Sequence, residues 1–241
     1  KNVNFVKSKL LITQKLIDTD NIPGNCSYLK FNDDDDFLLQ LESYRDDKYE
    51  QEMCSDHIAC IYYSSGTTDD PKCVLYSHKN MFSLTKSIVN DFQFLSESIH
   101  LGVLPLGHTA ITNYQLLPSL YAGSTLFLAE NFNSVRGDIW KIIADLNITY
   151  LQVVPTILFS MMATPYDEKD VRSNQSLKYI GCGSAPLSIE SQINFHNRFD
   201  VKVANLYGLS ETGPSHFDNP LLPDWRPGSI GYPLTVNECK I

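Results

Sequence analysis

The sequence has no long hydrophobic run, no paired-cysteine motif and no excess of basic residues, and each absence excludes a class of protein. The most apolar stretch, residues 150–163, is short and contains Pro155, so no segment predicts a membrane span. Six cysteines are scattered without a CxxC pair or a histidine at zinc spacing, which argues against a zinc site and favours a reducing compartment. A net charge of −9 gives no electrostatic reason to expect a nucleic-acid partner.

The start of the sequence also lacks the charged and apolar regions of a secretory leader. We therefore expect a cytoplasmic protein, or a peroxisomal one if a targeting signal follows residue 241. The oligomeric state is not predicted by any feature of the sequence.

What the sequence does contain is enough apolar material for a substantial core and one strongly acidic stretch. Of its 241 residues, 43% are hydrophobic. Residues 33–56 hold ten acidic and two basic residues, a local charge of −8, and indicate a solvated connector or surface flap. We expect residues 1–56 to be a partial leading subdomain with this acidic connector, and residues 57–241 to be the main functional core.

From residue 57 onward, short strand patterns alternate with amphipathic helix patterns. Ser77 is a candidate cap for a helix whose apolar positions reach Phe92, and Gly123 and Asn147 are candidate stops for two further helices. This alternation predicts an α/β fold with a largely parallel sheet. Predicted strands have the sequences HIACIYY, TLFLA, TYLQVV, KYIGCG and VKVANLY, and a helix capped by Ser188 has the sequence SIESQINFHNRF.

The run YYSSGTTDDPK, residues 62–72, follows the first of these strands and is a candidate anion-binding loop. Gly66 permits close backbone approach, the neighbouring hydroxyls add donors, and Lys72 adds a positive charge. The order of residues is not that of a Walker loop, because the lysine follows proline and precedes cysteine. On composition alone, a polar surface turn is about as good an interpretation.

This run resembles the signature loop of the adenylate-forming superfamily, which includes acyl-CoA synthetases, coumarate-CoA ligases, luciferases and peptide-synthetase adenylation domains. Four further segments resemble motifs of that superfamily and follow in its order: LPLGH at 104–108, CGSAPLS at 182–188, NLYGLSETG at 205–213 and RPGSIGYPL at 226–234. The ordered set identifies the chain as a member, covering part of the large N-terminal domain, with mostly parallel sheets flanked by helices and without the small C-terminal domain.

The resemblance implies a role for each matching residue. The loop residues would hold the β- and γ-phosphates of ATP, and the strand-end segments would hold adenine, with Asn205 reading its edge and Tyr207 stacking on it. Ser210 would bind the α-phosphate, Glu211 would bind Mg²⁺, and His108 would lie beside the acyl pocket. The implied catalytic residues are Lys72, His108, Ser210 and Glu211, and the implied nucleotide-binding residues are Ser64, Ser65, Gly66, Thr67, Thr68, Gly183, Ser184, Ala185, Pro186, Asn205, Tyr207 and Gly208.

The activity implied is ATP-dependent activation of a small-molecule carboxylic acid through an acyl-adenylate, followed by thioester formation with coenzyme A. Fatty acids or aryl acids are the expected substrates, and the apolar run VVPTILFSMM is interpreted either as the lining of an acyl tunnel or as ordinary core. A luciferase-like oxidation of the adenylate and a non-catalytic nucleotide-binding relative are the alternatives. A serine hydrolase is disfavoured because neither Ser184 nor Ser210 lies in a G-x-S-x-G sequence.

The sequence departs from the superfamily pattern in two ways. Asp69 and Cys73 stand where its members usually have glycine. A carboxylate ~4 Å from a phosphate oxygen would be repelled by about 4 kcal/mol at an effective dielectric near 20, so we expect Asp69 to weaken ATP binding. The Y-x-T-G-D segment and the late lysine of the superfamily do not occur in these residues, so we expect poor turnover by this chain alone.

Overall fold

A computed structural model describes residues 10–14, 26–31, 34–42, 54–64, 72–166 and 176–240. The chain divides into two compact units. One comprises Lys1–Met53 and Thr68–Pro71, and the other comprises Cys54–Thr67 and Lys72–Ile241.

The described part of the smaller unit contains two parallel strands and one helix. Strand β1 (Leu10–Gln14) pairs with β2 (Ser27–Phe31), and helix α1 (Asp34–Glu42) follows. The side-chain amide of Gln40 donates a 3.0 Å hydrogen bond to the Lys30 carbonyl, which ties the helix to β2. Helix α1 lies within the acidic stretch that the sequence indicates as a connector, and its Leu38 and Leu39 are exposed.

The larger unit contains a seven-stranded sheet and a separate two-stranded hairpin. The hairpin consists of β3 (Ile58–Ser64) and β4 (Lys72–Ser77). The order across the sheet is β11-β10-β9-β8-β7-β5-β6. These strands are β5 (Ile99–Gly102), β6 (Thr125–Leu128), β7 (Tyr150–Val153), β8 (Tyr179–Cys182), β9 (Val203–Leu209), β10 (Gly213–Phe217) and β11 (Tyr232–Pro233).

Helices connect the parallel strands of this sheet. Helix α2 (His78–Asp91) leads into β5, and a continuous helical segment from Thr109 to Ala122 leads from β5 to β6. The remaining helices are α5 (Phe132–Val135), α6 (Ile139–Asp145), α7 (Pro155–Ala163) and α8 (Ile189–Phe199), with a 3₁₀ turn at Arg136–Asp138. Strands β6, β5, β7, β8 and β9 are mutually parallel, whereas β10 is antiparallel to β9 and β11 is antiparallel to β10. The predicted α/β class with a mostly parallel sheet is therefore confirmed.

Side chains from alternate strand positions build a hydrophobic core on each face of the sheet. On one face, Leu151 and Ile180 pack with Trp140, Leu158 and Phe195 from helices α6, α7 and α8. On the other face, Tyr150 and Tyr179 pack with Leu84 and Ile88 of α2 and with Phe217 of β10. The period-2 alternation of strand side chains assigns each strand residue to one core, so helices cover both faces as the alternating pattern predicts.

The helix boundaries follow the capping signals in the sequence. Ser77 Oγ accepts a 3.1 Å hydrogen bond from the Asn80 amide, and the Asn80 side chain accepts one from the Ser77 amide, which forms a reciprocal capping box. Gly123, with φ 69°, ends the helical segment before β6. Asn147, with φ 52°, lies just after α6. Ser188 caps α8 through a 3.1 Å bond from the Ser191 amide.

The helical segment after β5 widens into one π-helical turn. It begins as α3 (Thr109–Ile111), widens at Thr112–Leu116, and continues as α4 (Leu117–Ala122). The Leu117 amide bonds to the Thr112 carbonyl, five residues back. Pro118 follows directly, and a proline ring cannot fit against the preceding α-helical carbonyl, which accounts for the wide turn.

The first predicted strand of this unit forms, but it lies outside the parallel sheet. Strand β3 pairs antiparallel with β4 alone, and only Tyr62 among its large side chains is buried, while Ile58, Ile61 and Tyr63 are exposed. The sequence predicts the strand but not its place in a separate hairpin, because an apolar composition does not distinguish a hairpin strand from a central one. Within the described residues, no helix combines the length and apolar character that a membrane crossing needs.

Candidate functional site

Two adjoining cavities open at the carboxyl ends of the parallel strands. The first, here called the central cavity, has a volume of about 480 Å³. The second, here called the Tyr207 cavity, has a volume of about 410 Å³. The two share four lining residues: Ser184, Leu206, Gly208 and Leu209. From β5 the chain adds β6 on one side of the sheet, and from β7 it adds β8 and β9 on the other side, so the strand order reverses between β5 and β7. Ligands of open α/β sheets commonly bind at such a switch point.

Except for Ser64, the described residues that the sequence analysis singled out line one or both of these cavities. Lining the central cavity are Lys72, His108, Gly183, Ser184, Ser210 and Glu211. Lining the Tyr207 cavity are Ala185, Pro186, Asn205, Tyr207 and, as shared members, Ser184 and Gly208. Residues more than 130 positions apart in the sequence thus face common space, although their individual roles stay predictions.

The predicted loop lies only partly within the described structure. Ser64 is the last residue of β3 and pairs with Lys72 across the hairpin. Ser65, Gly66, Thr67, Thr68 and Asp69 lie outside the described residues. Lys72 lines the central cavity from the start of β4, so the two ends of the loop are fixed by one hairpin.

The turn between β9 and β10 carries Ser210 and Glu211 to the rim of the central cavity. Its geometry is a three-residue hairpin loop that ends at Gly213, with φ 67°. The Thr212 hydroxyl accepts a 3.1 Å bond from the Leu209 amide and donates a 2.9 Å bond to the Gly213 carbonyl. These bonds tie the two ends of the turn together next to Glu211, whose side chain is exposed at the cavity.

Tyr76 supports the same turn from the hairpin. Its hydroxyl donates a 2.8 Å hydrogen bond to the Ser210 carbonyl. Burial raises the pKa of the Tyr76 phenol, the neighbouring Asn113 amide lowers it in part, and the negative charge of Glu211 raises it again. The phenol therefore stays protonated near neutral pH and remains a hydrogen-bond donor.

Glycine is required where the strands approach one another most closely. A Cβ at Gly183 would lie 2.9 Å from the Leu206 carbonyl oxygen, and one at Gly208 would lie 2.5 Å from the Gly213 carbonyl oxygen. Ser184, next to Gly183, adopts a left-handed backbone with φ 66°, which is uncommon for a residue with a side chain. Such strain is frequent at binding sites, where the surrounding structure maintains it.

Tyr207 presents its ring to solvent at the mouth of its cavity. The side chain is 47% exposed, and its ring contacts the His216 ring edge-on at a centroid distance of 5.9 Å. The Ser215 hydroxyl donates a 3.0 Å bond to the Tyr207 carbonyl. The β9–β10 pairing shifts register between Pro214 and His216, and bulges of this kind re-aim side chains next to functional sites.

His108 lines the central cavity and also a third, apolar cavity of about 360 Å³. Its Nδ1 accepts a 3.1 Å bond from the Ala110 amide as the cap of α3. In the neutral ring the proton then sits on Nε2, which is the nitrogen left to interact with a ligand. A histidine fixed in one tautomer can donate a hydrogen bond in a defined direction.

The apolar run at residues 153–162 divides between core and cavity. Leu158 and Met161, both in α7, are fully buried in the core on one face of the sheet. Val154, Thr156 and Ile157 line the apolar cavity instead. The run therefore supplies residues both to the core and to a cavity, because successive residues of a helix point in different directions, and its role in an acyl tunnel stays a prediction.

Sequence reasoning missed three buried residues of the central cavity. Asn113 and Tyr114 lie in the π-helical turn, and Gln152 lies in β7. All three line the central cavity and are at most 7% exposed, and we call them its inner wall. Gln152 could have been noticed as the one amide side chain within the predicted strand TYLQVV, whereas the wide turn that exposes Asn113 and Tyr114 to the cavity leaves no such signal.

Curated relatives of the chain are CoA ligases. It is 27% identical to the mitochondrial malonate–CoA ligase of Mus musculus over 198 residues, which cover 77% of this chain and 33% of the ligase. It is 32% identical to a 4-coumarate–CoA ligase of Pinus taeda over 165 residues, which cover 66% of this chain and 30% of the ligase. The chain thus spans about a third of the length of these relatives.

A similar fold occurs in solved structures. ATP-bound MatB from Rhodopseudomonas palustris superposes with a TM-score of 0.84 over 97% of this chain and 46% of that one, at 21% identity. The inhibitor-bound N-terminal domain of FACL13 from Mycobacterium tuberculosis superposes with a TM-score of 0.81 over 97% of this chain and 60% of that one, at 22% identity. The profile of the AMP-binding enzyme family matches residues 3–241, so the chain belongs to that family.

Proposed function

We propose that residues 57–241 form a nucleotide-binding core that holds ATP and activates a carboxylic acid as its acyl-adenylate, the first step of an acid–thiol ligase reaction. The observation that carries this proposal is the convergence of residues from five sequence motifs, RPGSIGYPL among them through Ile230, on two adjoining cavities. One cavity has a lysine and a carboxylate on its rim, and the other has an exposed tyrosine ring. CoA ligases among the curated relatives support the same reaction class.

The Tyr207 cavity suits an adenine base. An exposed tyrosine ring offers a flat surface on which a base can stack, a contact of about 1–3 kcal/mol. The Asn205 amide lies in the same cavity and can both donate to and accept from the edge of a base. The small residues Ser184, Ala185 and Pro186 leave room for a base to approach the strand end.

The rim of the central cavity suits the phosphates, and its buried interior is left for the carboxylic acid. Lys72 supplies positive charge, and the Ser210 hydroxyl can donate to a phosphate oxygen. Glu211 is one exposed carboxylate, and Mg²⁺ is typically held by one or two carboxylates together with phosphate oxygens. No cluster of three metal-binding side chains occurs in the described residues. When bound, Mg²⁺ would neutralise charge on the phosphates.

In the proposed reaction, a carboxylate oxygen of the acid attacks the α-phosphorus of ATP. The bond from that phosphorus to the bridging oxygen breaks, and pyrophosphate leaves with the electron pair. Both reactants are anions, so the protein contributes alignment and positive potential from Lys72, and no protein atom forms a covalent bond. A thiol, for which coenzyme A is the proposed source, then attacks the acyl carbon and displaces AMP, and its proton is lost to solvent.

ATP–pyrophosphate exchange with a panel of carboxylic acids tests this proposal. Exchange above background with at least one acid is expected, and Lys72→Ala and Glu211→Gln should reduce it at least tenfold. Lys79→Ala on α2 and Glu190→Gln on α8 are exposed charge changes away from both cavities and serve as matched controls. Exchange that is equally sensitive to all four variants would contradict the assigned roles.

A non-catalytic nucleotide-binding protein is the second candidate, favoured by Asp69 and Cys73 in the signature loop. It predicts that ATP binds without acid-dependent exchange. Titration of ATP by calorimetry, run beside the exchange assay, separates the two candidates.

A further inference from the structure

The inner wall of the central cavity is polar, although it is buried. Asn113 is 3% exposed and Gln152 is 1% exposed, yet both side chains line the cavity. Tyr114 completes this wall, and because burial raises the pKa of its phenol, the group stays protonated. A cavity that receives an alkyl chain is ordinarily lined by apolar side chains, so two amides and a phenol need an explanation.

The Asn113 side chain lies near the Tyr76 phenol and lowers its pKa, but its Nδ2 does not reach hydrogen-bond geometry with that phenol or with any other described group. A buried donor without a partner costs about 1–3 kcal/mol, and such groups in folded proteins usually await a ligand or a water molecule. A ligand that offers an oxygen to Nδ2 would recover that energy.

Gln152 closes the wall. Its Oε1 accepts a 2.6 Å hydrogen bond from the Tyr150 hydroxyl, which fixes the orientation of the amide. A Cβ added at Gly181 would lie within 2.5 Å of both the Tyr150 hydroxyl and Gln152 Oε1, so no free space extends past them on that side. A long chain cannot pass this barrier without displacing two hydrogen-bonded side chains.

The inner wall carries no cation. Lys72 is the one lysine or arginine that lines the central cavity among the described residues, and it lies exposed on the rim, where we assign it to the phosphates. A second carboxylate placed against Asn113 and Gln152 would therefore be buried without a positive partner, which costs more than burial of a neutral group.

We propose that the inner wall selects a short carboxylic acid that bears a neutral oxygen, a hydroxyl or a carbonyl, in reach of Asn113. Straight-chain fatty acids and dicarboxylic acids are disfavoured, which departs from the fatty-acid substrate that the sequence suggests. This inference rests on the proposed adenylation function. It assigns Asn113 as the residue that donates a hydrogen bond to the neutral oxygen of the acid.

Binding of acyl-sulfamoyl adenosines, which are stable analogues of acyl-adenylates, tests the inference without requiring turnover. The decisive pair is 3-hydroxybutyryl against 3-methylbutyryl, because the two differ only by a hydroxyl in place of a methyl group of similar size. Calorimetry on the wild-type chain should show about tenfold tighter binding of the hydroxyl analogue. Octanoyl and succinyl analogues should bind more weakly than the hydroxyl analogue.

Asn113→Leu keeps the side-chain size and removes the amide, so it should abolish the preference within the pair. Asn133→Leu makes the same change in the apolar cavity and should leave the preference intact. Circular dichroism establishes whether each variant folds. If Asn113→Leu does not fold, the comparison of the two analogues on the wild-type chain still tests the inference.

Equal binding of the pair, tighter binding of the methyl or octanoyl analogue, or an unchanged preference in a folded Asn113→Leu protein would overturn the inference. If AMP binds and the pair is not distinguished, the nucleotide site stands and only the acyl assignment fails. If neither AMP nor any analogue binds, the proposed function itself fails.

Discussion

The Tyr76 hydroxyl donates a 2.8 Å hydrogen bond to the backbone carbonyl of Ser210, 134 residues later in the chain. This bond joins the hairpin that bears Lys72 to the turn that bears Ser210 and Glu211. The two sets of residues proposed to hold the phosphates are therefore positioned against each other by one side chain. A small structural change at Tyr76 should therefore displace both the hairpin with Lys72 and the turn with Ser210 and Glu211.

Tyr76→Phe removes this hydrogen bond and retains the ring, which packs edge-on against Tyr62. Loss of one such bond should lower the free energy of unfolding by about 1 kcal/mol and weaken ATP binding several-fold. Urea denaturation and ATP titration measure the two effects. Tyr63→Phe, on the exposed side of the same hairpin, should change neither, and equal effects of the two variants would contradict the role of Tyr76.

Gly208→Ala should destabilise the protein because the added Cβ would meet backbone atoms, at 2.5 Å from the Gly213 carbonyl oxygen and 3.0 Å from the Pro214 Cα. Backbone cannot move aside as a flexible side chain can, so we expect a loss of about 2 kcal/mol and a melting temperature lower by several degrees. Gly137→Ala is the matched control, since its Cβ would meet nothing within 4 Å. A Gly208→Ala protein as stable as Gly137→Ala would refute the close approach of β9 and β10.

His100 should make the stability of the protein depend on pH. Its ring is fully buried, both ring nitrogens lack partners among the described residues, and burial lowers its pKa from 6.5 to about 4. Between these two values the unfolded chain binds a proton that the folded chain excludes, so the free energy of unfolding falls as pH falls through that window. The loss between pH 7 and pH 5 should be about 2 kcal/mol.

Urea denaturation at pH 7 and pH 5 measures this loss in the wild type and in His100→Leu, which should lose that part of the pH dependence. His57→Gln alters an exposed histidine and should retain it. An unchanged pH dependence in His100→Leu would show that other groups cause it.

Asp69→Gly should tighten ATP binding, because it removes a negative charge from the loop expected to hold phosphates. The residue lies outside the described structure, so this prediction rests on the sequence and on Coulomb repulsion alone. The gain in binding free energy should be at most about 4 kcal/mol. ATP titration of Asp69→Gly beside Asp70→Gly separates a position-specific effect from a general change in charge. Affinity that is unchanged or lower in Asp69→Gly would count against the repulsion.

Local signals predicted much of the fold. The Ser77 cap, the Gly123 stop and the Ser188 cap all depend on a few adjacent residues, and each lies where the sequence indicated. The separate β3–β4 hairpin was not predictable, since strand pairing depends on contacts between distant segments that composition does not encode. Asn113 and Tyr114 were likewise not predictable as cavity residues, because they reach the cavity from a π-helical turn that no periodic pattern in the sequence marks.

The central claim is that an adenine nucleotide binds where β8 and β9 end. Photolabelling with 2-azido-ATP, followed by peptide mapping, tests it most directly. We predict that the label is found in peptides containing Gly183–Pro186 or Asn205–Gly208, that excess ATP prevents labelling, and that Tyr207→Ala reduces it. Labelling confined to other peptides, or labelling of these peptides that excess ATP does not reduce, would contradict the claim.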